Sequence, residues 1–192
     1  VNVKNFINAN SKDEIIFTKN ATEAINLVAS TFGKQNIKKG DEIIITELEH
    51  HSNYVPWHYL RETYGAIIKF APINDDGDII ISKFKDLITP KTKIIAVTHL
   101  SNVTGTIVPI KEIVEIARKK NIPVLVDGCQ SAPHIKIDVK DLDCDFYAIS
   151  CHKVYGPTGI GILYAKKKWL EKLPPYIGGG GMISEVKKDK IS

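Results

Sequence analysis

The chain has 192 residues, 43% of them hydrophobic and 25% charged, with a formal net charge of +4. This composition is typical of a folded globular domain and excludes intrinsic disorder. The positive charges are nearly all lysines spread over many segments, unlike the clustered basic face of a nucleic-acid-binding protein. No segment has the roughly 18 consecutive apolar residues of a membrane span. We therefore expect neither a nucleic acid nor a membrane as a partner.

The cysteine pattern indicates a reducing compartment. Cys129, Cys144 and Cys151 are odd in number, and no two of them have the C-x-x-C spacing. We therefore expect a cytoplasmic location. The first residue is Val1 rather than Met, so an organellar targeting segment stays open as an alternative.

Short apolar runs alternate with amphipathic segments along the whole chain. The runs are rich in β-branched residues and nearly continuous in apolarity, which is typical of strands buried on both faces. Predicted strands cover residues 15–18, 43–46, 67–70, 94–98, 124–126, 146–149 and 160–164, and predicted helices cover roughly 21–32, 53–64 and 110–120. This alternation predicts a single α/β domain with a mostly parallel sheet flanked by helices.

Polar and titratable residues follow five of the predicted strands. Ligands of open α/β sheets bind at the carboxyl ends of the strands, so these residues predict one convergent site. They are Asn20 to Glu23 after the first strand, Glu49 to His51 after the second, His99 to Asn102 after the fourth, Asp127 and Gln130 after the fifth, and Ser150 to Lys153 after the sixth.

Asp127 and Lys153 are the pair that points to a particular chemistry. Asp127 closes an apolar run, and Lys153 follows 26 residues later in a polar turn that continues into Gly156. Pyridoxal phosphate chemistry needs a primary amine for the cofactor aldehyde and a carboxylate that keeps the pyridine nitrogen protonated. Taken singly, Lys153 could be a surface lysine and Asp127 a helix cap or turn residue.

Two further segments have a structural and a functional interpretation. Thr22 lies in a segment that forms a helix cap, and the same helix N-terminus could seat a phosphate group. His50, His51 and His58, with Glu47 and Glu49, could suggest a metal cluster, but their spacing matches no common ligand pattern, so no metal is predicted. His50 could instead stack on an aromatic cofactor and shuttle protons.

Taken together, the motifs resemble those of a known family over nearly the whole chain. The chain is similar to the class V, fold-type I pyridoxal phosphate-dependent enzymes, and among them to the cysteine desulfurases of the sulfur-mobilisation type, including selenocysteine lyases. The matching stretches are ATEAINLV at 21–28, EHHSNYVPW at 49–57, THLSNVTGT at 98–106, VDGCQS at 126–131, DCDFY at 143–147 and SCHKVYGPTGIG at 150–161.

The resemblance implies a role for each candidate site residue, with pyridoxal 5'-phosphate as the cofactor. Lys153 would bind the cofactor covalently and then move the substrate α-proton, Asp127 would pair with the pyridine nitrogen, and His50 would stack on the ring and assist proton transfer. The remaining implied contacts are Gln130 at the phenolic oxygen, Asn102 beside the substrate or the ring, and Thr22, Ser150 and His152 at the phosphate.

The chain also departs from the family pattern. Ala21 stands where the family usually has Thr or Ser, and Cys151 stands where it has Gly or another small residue. The family also has a C-terminal small domain that carries a nucleophilic cysteine and a carboxylate-binding arginine, and it forms homodimers. No cysteine here corresponds to that nucleophile. The resemblance therefore implies that residues 1–192 are an incomplete large cofactor domain, inactive alone, with the small domain absent.

The expected parent activity is that of a cysteine desulfurase, which converts L-cysteine to L-alanine and passes sulfur through an enzyme persulfide to an acceptor protein for iron–sulfur cluster assembly. Alternatives within the same fold are a selenocysteine lyase, an aminotransferase or an epimerase. A truncated non-catalytic module is a further alternative. A dinucleotide-binding domain is set aside, because the G-x-G-x-x-G turn does not follow the first strand.

Overall fold

One seven-stranded sheet organises the chain. The computed structural model describes residues 2–180 and residue 185. The strands are β1 (Ile15–Thr18), β2 (Glu42–Thr46), β3 (Ile67–Ala71), β4 (Thr92–Thr98), β5 (Val124–Asp127), β6 (Phe146–Ser150) and β7 (Gly161–Ala165). Their order across the sheet is β1-β7-β6-β5-β4-β2-β3. All seven predicted strands are present, and each boundary lies within two residues of the prediction.

The predicted mostly parallel sheet is confirmed. Neighbouring strands from β3 to β6 all pair in parallel. Strand β7 is antiparallel to both of its neighbours, β6 and β1. Strand β1 therefore runs in the same direction as β6, and β7 alone among the described strands runs the opposite way.

Helices cover both faces of the sheet. They are α1 (Asn2–Phe6), α2 (Ala21–Asn36), α3 (Val55–Tyr64), α4 (Ile81–Leu87), α5 (Ile110–Arg118), α6 (Ser131–His134), α7 (Val139–Leu142) and α8 (Lys167–Leu170), with 3₁₀ turns at Lys12–Glu14, His51–Asn53 and Cys151–Val154. The three predicted helices correspond to α2, α3 and α5, whereas the short helices were not predicted. None of the helices in the described part of the chain is long and apolar enough to cross a membrane.

Each strand contributes to two hydrophobic layers. In β4, Ile94 and Ala96 pack on the layer under α2 and α3, and Ile95 and Val97 pack on the layer under α4 and α5. Side chains alternate between the two faces of a sheet, so both faces of this strand must be apolar. This double burial explains why the strands form continuous apolar runs in the sequence.

A close backbone contact joins β7 to the start of α2. Gly161 opens β7, and a Cβ atom built on it would lie only 2.5 Å from Asn20 Cα. Asn20 is the N-cap of α2, and its Oδ1 accepts a hydrogen bond from Glu23 N at 2.8 Å. A glycine at position 161 therefore lets the N-terminus of α2 reach the carboxyl edge of the sheet.

We expect Gly161→Ala to destabilise the chain by about 1–3 kcal/mol, because the methyl group would force the α2 cap away from β7. The measurement is the free energy of unfolding from urea denaturation. Gly178→Ala is the matched control, because a Cβ atom at Gly178 meets nothing within 4 Å. Equal stability of the two variants would contradict the proposed close contact.

Candidate active site

The carboxyl ends of three neighbouring strands lie side by side. Thr98 at the end of β4 pairs with Asp127 at the end of β5, and Asp127 pairs with Ala148 of β6. The 3₁₀ turn Cys151–Val154, which carries Lys153, contacts both β6 and α6. The segments that follow these strands therefore emerge at one edge of the sheet, as the sequence predicts.

Asp127 is buried at this edge, with 3% of its surface exposed. Its Oδ1 accepts a hydrogen bond from Cys129 N at 3.0 Å, and its backbone oxygen accepts one from His99 N at 2.9 Å. Backbone bonds on both sides hold this carboxyl group at a defined place at the strand end.

Lys153 is half-buried in the 3₁₀ turn. The turn ends at Tyr155, whose φ of 62° lies in the left-handed region, and Gly156 N closes it by donating to Cys151 O at 2.9 Å. The charges of Asp127 and Lys153 both act on the thiol of Cys129, the first raising its pKa and the second lowering it. Cys129 therefore lies within electrostatic reach of both ionic groups.

The cysteine thiols of the chain are poor nucleophiles. Burial, followed by the charge of Asp127, raises the pKa of Cys129 to about 12. Burial also raises the pKa of Cys144 to about 12 and moves that of Cys151 upward. Thiolates are the reactive form of cysteine, so none of these side chains is activated.

Ser150 connects the end of β6 to the first turn of α2. Its Oγ accepts a hydrogen bond from Ala21 N at 2.9 Å. Thr22 is exposed in the same turn, and its N–H has no hydrogen-bond acceptor among the described residues. A helix N-terminus with a free N–H group favours an anion. The exposed ring of His152 lies in the turn that follows Ser150.

The remaining predicted residues lie on the same edge without direct bonds to Asp127 or Lys153 in the described structure. His50 is exposed, and its Nδ1 accepts a hydrogen bond from Ser52 N at 3.2 Å. Asn102 is exposed in a turn held by Ser101 Oγ. Gln130 is half-buried directly before α6. Their contacts to a cofactor stay predictions.

A hydrogen-bonded network around Glu49 was not predicted. Glu49 Oε1 accepts from Thr98 N at 2.9 Å and from Thr46 Oγ1 at 2.6 Å. Its Oε2 accepts from Asn53 Nδ2 at 2.6 Å, and Asn53 Oδ1 accepts from Trp57 Nε1 at 3.1 Å. Burial raises the pKa of Glu49 to about 8, against the opposing effect of these bonds. The four-residue spacing of positions 49, 53 and 57 was a signal in the sequence for this network.

A second network lies under β5. Ser131 Oγ donates to Gly128 O at 3.2 Å, so its oxygen must accept from the Tyr147 hydroxyl at 2.7 Å. The Tyr147 oxygen is then left to accept from His99 Nδ1 at 2.8 Å. Burial lowers the pKa of His99 to about 4, so the ring is neutral at physiological pH. A Cβ atom on Gly128 would lie 2.6 Å from Tyr147 Oη, so this network needs glycine directly after Asp127.

The histidines and acidic residues after β2 do not form a metal centre in the described part of the chain. The ring centroids of His50 and His51 are 5.9 Å apart. No group of three or more histidine, cysteine, aspartate or glutamate side chains among the described residues could hold a metal ion.

The fold and the site together define an α/β domain with a lysine and a buried carboxylate at the carboxyl edge of its sheet. Residues 1–192 match the model of the aminotransferase class-V family, and the chain belongs to that family. A probable cysteine desulfurase of Halalkalibacterium halodurans is 53% identical over 184 residues, which are 96% of this chain and 45% of that protein. A cysteine desulfurase of Wigglesworthia glossinidia brevipalpis is 51% identical over 185 residues, again 96% of this chain and 45% of that protein.

Solved structures of cysteine desulfurases have the same fold. CsdA from Escherichia coli superposes with a TM-score of 0.95 at 40% identity, covering 99% of this chain and 48% of that one. The apo enzyme from Thermococcus onnurineus NA1 gives a TM-score of 0.91 at 39% identity, covering 99% and 47%. The chain thus spans about half the length of the proteins it matches.

The neutral state of His99 predicts a pH dependence of stability. Its pKa is about 4 in the folded chain and 6.5 for an ordinary histidine, so the folded state binds this proton more weakly. The contribution of neutral His99 is fully present above pH 6.5 and is lost as the pH falls toward 4, by up to about 3 kcal/mol. His99→Asn keeps an N–H donor for Tyr147 but does not titrate, so this loss should be absent from the variant.

Urea denaturation at several values between pH 4 and 6.5 measures the slope of unfolding free energy against pH. His134→Asn is the control, because His134 is exposed. If His99→Asn and the control keep the same slope as the parent chain, His99 is not the group responsible.

Proposed function

We propose that this chain is the cofactor domain of a pyridoxal phosphate-dependent cysteine desulfurase. The parent reaction would convert L-cysteine to L-alanine and transfer the sulfur to a cysteine of the enzyme. The observation that carries the proposal is that Asp127 ends β5 beside β6, while Lys153 lies in the turn that directly follows β6, at the same carboxyl edge of the sheet. The relatives named cysteine desulfurase, which are 53% and 51% identical over 96% of this chain, support it.

The residues at this edge fit pyridoxal phosphate. A buried carboxylate suits the protonated pyridine nitrogen, a half-buried lysine suits the aldehyde, and the first turn of α2 suits the phosphate. Among the solved structures with this fold is a lysine-to-alanine mutant of C-DES with glycine covalently linked to the PLP cofactor, with a TM-score of 0.81 and 28% identity over 90% of this chain.

The bound cofactor would supply an electron-withdrawing ring that stabilises negative charge on the substrate α-carbon. Asp127 would hold the proton on the ring nitrogen, because a buried carboxylate favours a cation beside it. Lys153 Nζ would bind the cofactor and then accept the substrate α-proton. His50 would lie against the ring, and Thr22 and Ser150 would orient the phosphate.

The sulfur-accepting cysteine is proposed to lie in a second, smaller domain of the parent protein. The raised pKa values of the thiols at Cys129, Cys144 and Cys151 argue against each of them as the acceptor. Residues 1–192 would then form an incomplete large domain. A homodimeric parent enzyme, a cytoplasmic location and a sulfur-acceptor protein for iron–sulfur cluster assembly are parts of the same proposal.

Covalent capture of the cofactor tests the role of Lys153. After incubation of the chain with pyridoxal phosphate and reduction by borohydride, mass spectrometry of peptides should find a phosphopyridoxyl group on Lys153. The group should be absent from this position in Lys153→Ala and retained in Lys136→Ala, which removes an exposed lysine. Labelling spread evenly over the surface lysines would contradict a specific cofactor-binding site at Lys153.

The same chain should not turn over L-cysteine even when loaded with cofactor. Positioning of a nucleophile in line with the departing sulfur accounts for about 7–11 kcal/mol of a barrier, and no activated thiol is present to supply it. Alanine and sulfide release are the measurements, with the Halalkalibacterium halodurans relative as the positive control. Turnover comparable with that control, abolished by Lys153→Ala, would show that one of the three cysteines is the acceptor.

A further inference from the structure

The imidazole ring of His50 caps the 3₁₀ turn that follows it. His50 precedes the 3₁₀ turn His51–Asn53, and its Nδ1 accepts a hydrogen bond from the backbone N–H of Ser52 at 3.2 Å. Serine, threonine, aspartate and asparagine usually cap such turns with an oxygen. A backbone amide can only donate, so Nδ1 of His50 must present a lone pair.

The hydroxyl of Ser52 contacts the same nitrogen, with Ser52 Oγ 2.7 Å from His50 Nδ1. Because Nδ1 already accepts from the amide, the hydroxyl is also a donor to it. A neutral imidazole carries one proton on one of its two nitrogens. With Nδ1 occupied as an acceptor, the proton must be on Nε2.

We infer that Ser52 is a positioning residue that holds neutral His50 in the tautomer with its proton on Nε2. The chain around it is fixed on both sides. Glu49 bonds to Thr98 at the end of β4, and the fully buried Asn53 bonds to Glu49 and to Trp57 of α3. The N–H of Ser52 therefore points at Nδ1 from a backbone that is held in place.

The tautomer of His50 determines which chemical role falls to His50 and which to Lys153. This consequence rests on the proposed function. A neutral His50 with its proton on Nε2 offers a donor to a bound ligand and has no free lone pair at that nitrogen. Its Nδ1 lone pair is already engaged by the hydroxyl and the backbone N–H of Ser52. Lys153 is then the group that accepts the substrate α-proton, and His50 donates a hydrogen bond from Nε2.

The test is ¹⁵N NMR of the histidine rings in the chain without cofactor, at an alkaline pH where imidazoles are neutral. A His50→Gln variant identifies the His50 signals. We expect one attached proton on Nε2 and none on Nδ1. In Ser52→Ala the Nδ1 resonance should shift toward the value of a free imidazole, because one of its two hydrogen bonds is lost. Ser52→Thr retains a hydroxyl and should restore the resonance.

Ser30→Ala is the matched control, because it removes an exposed hydroxyl that bonds only within α2. Backbone amide spectra verify that each variant is folded. A proton on Nδ1 of the parent chain would overturn the inference, and so would an unchanged Nδ1 resonance in Ser52→Ala. Neither pyridoxal phosphate nor L-cysteine is used, so this result is independent of cofactor capture by Lys153. Failure of that capture with the expected tautomer would contradict the proposed function alone.

Discussion

The pairing of β5 with β4 and β6 is the constraint on which the site depends. The parallel strands β4, β5 and β6 are paired so that Asp127 lies between Thr98 and Ala148. Its carboxyl group therefore lies at the end of the apolar strand β5. The turn that holds Lys153 follows the next strand, and the cap of α2 joins that strand through Ser150. A single register thus brings a carboxylate, an amine and a helix N-terminus to one edge, although they come from distant parts of the sequence.

Buried hydrogen-bond networks support this edge from both faces of the sheet. Glu49 ties the segment after β2 to the end of β4, and His99 ties the end of β4 to Tyr147 of β6. Burial favours the neutral form of both Glu49 and His99. Because one is an acid and the other a base, their contributions to folding stability change in opposite directions with pH. Keeping His99 neutral lowers the free energy of unfolding as the pH falls below 6.5. Keeping Glu49 neutral lowers it as the pH rises above 4.5. Between pH 4.5 and 6.5, the two groups therefore contribute opposite slopes to the plot of unfolding free energy against pH.

The sequence predicted the sheet well, because strands buried on both faces must be apolar throughout. It missed α4, a helix of seven residues whose N-cap is Ile80, because isoleucine provides no capping side chain to mark where the helix begins. The placement of Asp127 and Lys153 at one edge followed from the rule for strand ends. The His99 network could not be predicted, because a tyrosine and a serine in apolar surroundings look like ordinary core residues until the strand order is known. The contacts of Asn102 and Gln130 need a bound cofactor, which no sequence pattern supplies.

The packing of Tyr147 against Gly128 couples two positions that are 19 residues apart in the chain. An aromatic ring at 147 leaves no room for a side chain at 128, and its hydroxyl is the partner of both His99 and Ser131. A smaller residue at 147 would admit a side chain at 128, but it would leave the buried Nδ1 of His99 without its partner and remove one of the two hydrogen bonds of Ser131 Oγ. In the history of this family, these four positions should therefore covary as a unit, with glycine, tyrosine, histidine and serine inherited or replaced together.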